Sequence, residues 1–303
     1  MASLYTHKDS NVRKTWVLLT LFFLGVIAVG WGVSWYMQSP AILYGAVALA
    51  LLMNVWSYWF SDSLVIKMTG AKLMPDEAAY QDVHNIVENL AITAGLPKPK
   101  LYIINDTAPN AFATGRDPAH AVVAVTTGLL SMMDRHELEG VLAHELSHVG
   151  NRDMLVSTVV VVLAGVIAML SDIFLRMALF GGGDRDRNGN PIAVAVIVVA
   201  ALLAPLAATM VQLAVSRKRE FLADASGALL TRYPEGLASA LQKIGSYSAP
   251  MKKANHATAH LFLSNPFGAR ANHGFFNVLF MTHPPIEARI RALLGGREEG
   301  IDK

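Results

Sequence analysis

The chain contains no cysteine. Disulfides and thiolate metal sites are therefore excluded, and any metal must be held by histidine and carboxylate side chains. Charge is also scarce: Asp, Glu, Lys and Arg make up 16% of the 303 residues, against about 25% in ordinary soluble domains. The net charge is only +2 and no basic-aromatic patch stands out, so nucleic acid is excluded as a partner class. What the chain has instead is apolar surface, with 53% hydrophobic residues and a mean hydropathy of +0.39. That balance predicts a mainly helical membrane protein carrying one soluble part.

Four segments read as spans. Thr15–Met37 is uncharged and long enough to cross a bilayer core of about 30 Å. Arg13-Lys14 precedes it, as in a signal peptide, but it is too long for one and ends in Trp31, Trp35 and Tyr36, so it reads as an uncleaved anchor. Ala41–Ser61 follows after Pro40. A second hairpin runs from Leu155 to Phe180, interrupted by Asp172 and Arg176, and from Ile192 to Val215, with Pro205 as a kink. The polar loop Gly181–Asn190 joins its arms. Domain boundaries follow: 1–61, 62–154, 155–215 and 216–303. Lys8, Arg13, Lys14, Lys67, Lys72 and Arg217-Lys218-Arg219 flank the spans on one side, which predicts cytoplasmic termini and a cytoplasmic central part.

That central part reads as a small α+β unit. A helical pattern runs from Pro75-Asp76-Glu77 through Val83, Ile86, Val87 and Leu90 and stops at Gly95. Leu101–Ile104 and Ala121–Val125 read as strands. Asp134 and Glu137 have capping-box spacing and open the next helix; two more helices are expected near Gly236–Ile244 and Ile286–Leu294.

The helix opened by Asp134 carries His144-Glu145-Leu146-Ser147-His148. Residues at i and i+4 share a face about 5–6 Å apart, so both rings can bind one zinc ion. Glu145, beside the first ligand, suits the general base for water activated by the ion. Asn151 and Met154 stand where a histidine-extended form of the pattern needs glycine and histidine, so the third ligand lies elsewhere. Antiparallel arms of the second hairpin would bring Glu220 level with His148 on the same side of the membrane, and Asp224 shares its helix face. Asp224 is placed to hold the free ring nitrogen of a ligating histidine. The alternative for both carboxylates is a solvated face flanking a basic membrane anchor.

The segments HELSHVGNRD (144–153) and SRKREFLADASGA (216–228) resemble the HtpX group of integral membrane zinc metalloproteases, relatives of the CAAX prenyl proteases. The resemblance covers most of the chain. It implies a gluzincin-like protease unit with one zinc ion per chain, His144, His148 and Glu220 as ligands, Glu145 as base and Asp224 as the orienting carboxylate. It also implies a bacterial inner membrane setting, an active site facing the cytoplasm, and turnover of misfolded or damaged membrane proteins.

Two further constellations gain meaning from it. Asn110-Ala111-Phe112-Ala113 is either a plain connection or an edge strand that takes up substrate backbone; the resemblance favours the strand. His283 and Arg289 flank the start of the last helix and lie near the zinc in the resembling proteases, where they could stabilise an oxyanion. His256 and His260 have ligand spacing but no glutamate, and read as a solvated face. Three rivals stay open. A site-2-type intramembrane protease conflicts with Asn151-Arg152-Asp153, which end the apolar pattern. A CAAX-type prenyl-protein protease would need more spans. A non-enzymatic zinc-binding scaffold would make the paired motifs accidental.

Overall fold

The computed structural model describes residues 4–36, 38–163, 167, 217–255, 258–268 and 284–295. The chain divides into two compact units, one made of 13–61 and 159–214, the other of 1–12, 62–158 and 215–303.

The first unit is built on a helical hairpin. Helix α1 (Leu4–Tyr36) and helix α2 (Pro40–Thr69) both outrun the apolar stretches read from sequence. Within them, Ser10–Trp35 and Pro40–Thr69 are long and apolar enough to cross a membrane. Small residues let the pair close up: a Cβ on Gly30 would stand 2.2 Å from the Ala46 Cβ. Asn54 Nδ2 also donates to the Leu19 carbonyl at 3.2 Å. The expected third span begins as a shorter apolar helix, Asp153–Leu163. The rest of that span, the polar loop, and the expected span 192–215 lie outside the described residues.

The second unit holds the sheet. Strands β1 (Lys72–Leu73), β2 (Lys100–Ile104), β3 (Ala111–Thr114) and β4 (Val122–Thr126) line up in the order β1-β2-β4-β3. β2 and β4 are parallel; β1 and β3 are antiparallel additions at the two edges. Every residue of β4 is buried, as its uninterrupted Val-Val-Ala-Val run requires of a strand covered on both faces. β1 is not expected from sequence, because two exposed residues carry no alternation; its pairing with Tyr102 and Ile103 defines it.

Helix α3 (Gln81–Ala94) buries Val83, Ile86, Val87, Leu90 and Ala91, one stripe at helical spacing. Burying each larger side chain contributes about 1.5–3 kcal/mol. It starts later than the Pro75 pattern suggests, after a 3₁₀ turn at Ala78–Tyr80, and ends on Gly95 at φ 64°, a left-handed cap. Helix α4 (Thr127–Met132) leads to helix α5 (Arg135–Asn151). The capping box forms: the Asp134 side chain accepts from His136 and Glu137 N–H, and Glu137 accepts from Asp134 N–H. Helix α6 (Asp153–Leu163) follows. Helix α7 (Arg217–Thr231), helix α8 (Pro234–Ser246) and helix α9 (Ile286–Leu293) complete the unit. Lys243 and Ser239 of α8 both donate to Glu137, fixing α8 against the start of α5.

Candidate active site

α5 is buried along most of its length, and Glu137, His144, Glu145, Ser147 and Asn151 are buried with it. His144 is 1% and Glu145 2% exposed. Polar groups so deep need specific partners, and here the partners come from three other places in the chain.

His144 Nδ1 lies 2.9 Å from Asp224 Oδ1, and His148 Nδ1 lies 3.1 Å from Asp153 Oδ2. Each ring therefore gives its Nδ1–H to a carboxylate and leaves Nε2 as the nitrogen that could meet a metal. The two Nε2 atoms stand 3.1 Å apart. Glu220 faces them both, 3.8 Å from His144 Nε2 and 3.6 Å from His148 Nε2. One donor atom from each of His144, His148 and Glu220 falls within 4.8 Å of the others.

Helix geometry produces this meeting. Glu220, Asp224 and Gly227 recur at i, i+4 and i+7 and so share one face of α7. Gly227 lets that face come close: a Cβ there would stand 2.9 Å from the His144 amide nitrogen. Any side chain at 227 would push Glu220 and Asp224 away from the histidines.

Asp153 is the partner that sequence reasoning missed. Asn151-Arg152-Asp153 read only as a polar end to the motif, yet Asn151 and Asp153 are buried. Arg152 closes α5 in the left-handed region, φ 57° and ψ 26°, and this turns Asp153 back onto His148. Asp153 Oδ1 also accepts from Asn11 Nδ2 at 2.6 Å and lies 3.7 Å from Arg219 Nε. Aspartate five residues beyond the second histidine was the available signal, but it needs the turn to have meaning. Losing such an outer partner costs about 10–100-fold in metal affinity. Asp153→Ala should show that loss in competition with a chromogenic chelator; unchanged affinity would remove Asp153 from the site.

The electrostatics are divided sharply. Burial pushes the Glu145 carboxyl up to about 7, helped by Glu220 and opposed by His148 and Arg289. Burial alone would lower His148, but the Asp153 hydrogen bond and the charges of Glu220 and Glu145 carry it up to about 9. Burial wins at His144, whose pKa is lowered despite Asp224. Asp224 is held at about 2, because Arg289 and His144 outweigh its burial.

Arg289 is fully buried and grips Asp224 with two hydrogen bonds, Nε to Oδ2 at 2.9 Å and Nη2 to Oδ1 at 2.7 Å. Its Nη1 is 3.8 Å from Glu220 Oε2. The other residue expected beside it, His283, lies outside the described residues, as does His256. His260 corrects the expectation of a solvated face: it is buried, with Nε2 3.2 Å from the Ser157 carbonyl, because the 3₁₀ turn Ala259–Leu261 packs inward. Ala111 to Ala113 lie in the edge strand β3 and Asn110 directly precedes it, all four buried, and the Ala113 backbone N–H acts on the Glu145 carboxylate, lowering its pKa.

Two histidines and a glutamate brought within 4.8 Å can hold a metal ion, with a further buried glutamate next to the first histidine in the chain, a donor set of the metallopeptidase class. Residues 77–296 match the model of peptidase family M48, and the chain belongs to that family. It is 47% identical over 298 residues to a protein named Protease HtpX homolog from Caldanaerobacter subterraneus subsp. tengcongensis, covering 96% of this chain and 97% of that one. A protein of the same name from Thermoanaerobacter pseudethanolicus is 49% identical over 300 residues, with 96% and 97% covered. The crystal structure of S. mikatae Ste24p superposes with a TM-score of 0.49 at 19% identity, covering 91% of this chain and 62% of that one.

Proposed function

We propose that the protein is a multi-pass membrane zinc endopeptidase. In this reading both hairpins span the bacterial inner membrane, the site faces the cytoplasm, and the substrates are misfolded or damaged membrane proteins. The observation that carries the chemistry is the convergence of His144, His148 and Glu220 donors within 4.8 Å beside Glu145.

The donor set suits zinc. Zinc takes imidazole nitrogen and carboxylate oxygen in tetrahedral sites, with Zn–N about 2.0–2.1 Å, so two such nitrogens stand about 3.3 Å apart. The His144 and His148 Nε2 atoms are 3.1 Å apart with their Nδ1 atoms already committed to carboxylates. Three protein ligands leave the fourth position open, as in catalytic rather than structural sites. When bound, zinc supplies Lewis acidity that polarises the scissile carbonyl and acidifies water.

The chain's own residues do the rest. Glu145 takes the proton of the attacking water on its carboxylate and passes it to the leaving amine. Burial raises the proton affinity of the Glu145 carboxyl, which suits a group that must hold a proton between the two halves of that transfer. Asp224 and Asp153 fix the two rings, and Arg289 holds Asp224 in its ionised form. β3 offers the backbone edge along which a substrate peptide extends.

Purified protein in detergent should carry one equivalent of zinc and cleave an unfolded membrane-protein substrate. Removing the metal with a chelator should stop cleavage, and zinc should restore it. Undiminished cleavage by protein verified to be metal-free would overturn the proposal.

A further inference from the structure

The outward side of β3 is already in use. In the β3–β4 ladder, the Thr126 N–H donates to the Asn110 carbonyl at 3.0 Å, which makes 110, 112 and 114 the residues that face β4. Ala111 and Ala113 therefore turn their backbone groups away from the sheet. The Ala113 N–H is close enough to Glu145 to lower its pKa. The Ala111 carbonyl accepts the Leu263 N–H at 2.9 Å.

The contact continues along the same short segment. The Asn110 carboxamide imitates a strand, accepting from Ser264 N–H at 3.1 Å and donating to the Ser264 carbonyl at 3.0 Å. Arg289 Nη1 donates to the Leu263 carbonyl at 3.3 Å, while Nη2 of the same guanidinium sits 3.5 Å from the His144 ring. Leu263 is 2% exposed and packs into the apolar core; Phe262 sets its ring edge-on to Phe112, with centroids 5.2 Å apart. This bent segment, bonded to the edge strand through one backbone hydrogen bond and through the Asn110 carboxamide, with its Leu263 carbonyl held by Arg289 beside the His144 ring, stands where a peptide would add to the sheet edge.

We infer that Phe262–Ser264 is a built-in occupant of the substrate edge, a self-inhibitory contact that a substrate peptide must displace. The inference rests on the endopeptidase reading above and extends it to regulation and substrate class. The best substrates are extended peptides carrying a medium-sized apolar residue in place of Leu263, because that side chain is buried against the apolar core. The opposing view makes the segment a permanent extra strand, in which case weakening it cannot improve peptide binding.

The test separates the edge from the chemistry by using Glu145→Gln protein, which is inert by design. A fluorescein-labelled, unstructured ten-residue peptide with a central leucine is titrated in detergent and followed by anisotropy. Two second-site variants loosen the occupant. Leu263→Gly removes its anchor; Ser264→Pro removes the N–H given to Asn110 and leaves every buried apolar side chain in place. Asn110 Oδ1 keeps its bond from the Ala111 N–H, so no acceptor is orphaned. Tighter binding by folded Ser264→Pro protein, by about tenfold, supports the inference, and Leu263→Gly should shift binding the same way. Equal or weaker binding by folded Ser264→Pro protein overturns it, whatever Leu263→Gly does. Cleavage by the protein with Glu145 intact is scored separately. If that protein cleaves nothing, the endopeptidase reading falls, while the anisotropy contrast still decides who occupies the edge.

Discussion

Glu145→Gln should lower peptide cleavage by about 10²–10⁴-fold, the usual worth of a positioned general base, while fold and metal content stay as they are. The substitution is nearly isosteric at a site that is 2% exposed, so it opens no cavity. The Ala113 N–H near the carboxylate faces the amide oxygen instead. Glu145 is also absent from the group of metal-facing donors, His144, His148 and Glu220. What the variant loses is a group that can accept and return a proton. In the metal-free protein burial moves that group from the ordinary carboxylate range up to about 7, the direction that favours holding a proton. The measurement is turnover of an unfolded polypeptide alongside metal analysis of the same preparation. Retained cleavage in a preparation free of contaminating protease would sink the role of Glu145.

The parts of this site legible in the sequence are those governed by helical spacing. His144 and His148, and Glu220 and Asp224, are i, i+4 pairs, and the periodicity alone puts each pair on one face. The capping box at Asp134 and the apolar stripe of α3 are local for the same reason. Asp153 was not legible, because its role depends on Arg152 taking a left-handed conformation that nothing in the residue type demands. β3 was readable only as one of two alternatives: Ala-Phe-Ala-Thr is short and has little strand preference, and pairing with β4 decides it. The role of Arg289 in gripping Asp224 joins positions 65 apart in the chain, beyond any spacing argument. Likewise Phe262–Ser264 shows no strand pattern; Asn110, far away in sequence, recruits it.

Glu220→Ala should lose the metal, by more than the roughly 10–100-fold that an outer hydrogen-bond partner is worth. Two histidines alone leave an incomplete set for a tetrahedral ion, and no other described His or carboxylate joins the group. A pH signature distinguishes loss of a ligand from general damage. In the metal-free protein His148 is raised from 6.5 to about 9, so at neutral pH it carries a proton that the metal must displace. Apparent affinity of the wild type should therefore fall about tenfold for each pH unit below 9. The same upshift stabilises the metal-free fold: its contribution is full below pH 6.5 and is lost as pH rises through 9. Glu220 is one of the charges that hold the proton. In Glu220→Ala the thermal midpoint of metal-free protein should therefore drop less between pH 6 and pH 9 than in the wild type. Metal analysis after gel filtration reads the first effect, and calorimetry at the two pH values reads the second. A full metal complement in the variant would remove Glu220 from the ligand set. An unchanged pH dependence would separate Glu220 from His148 electrostatically and leave Asp153 to account for the retained proton.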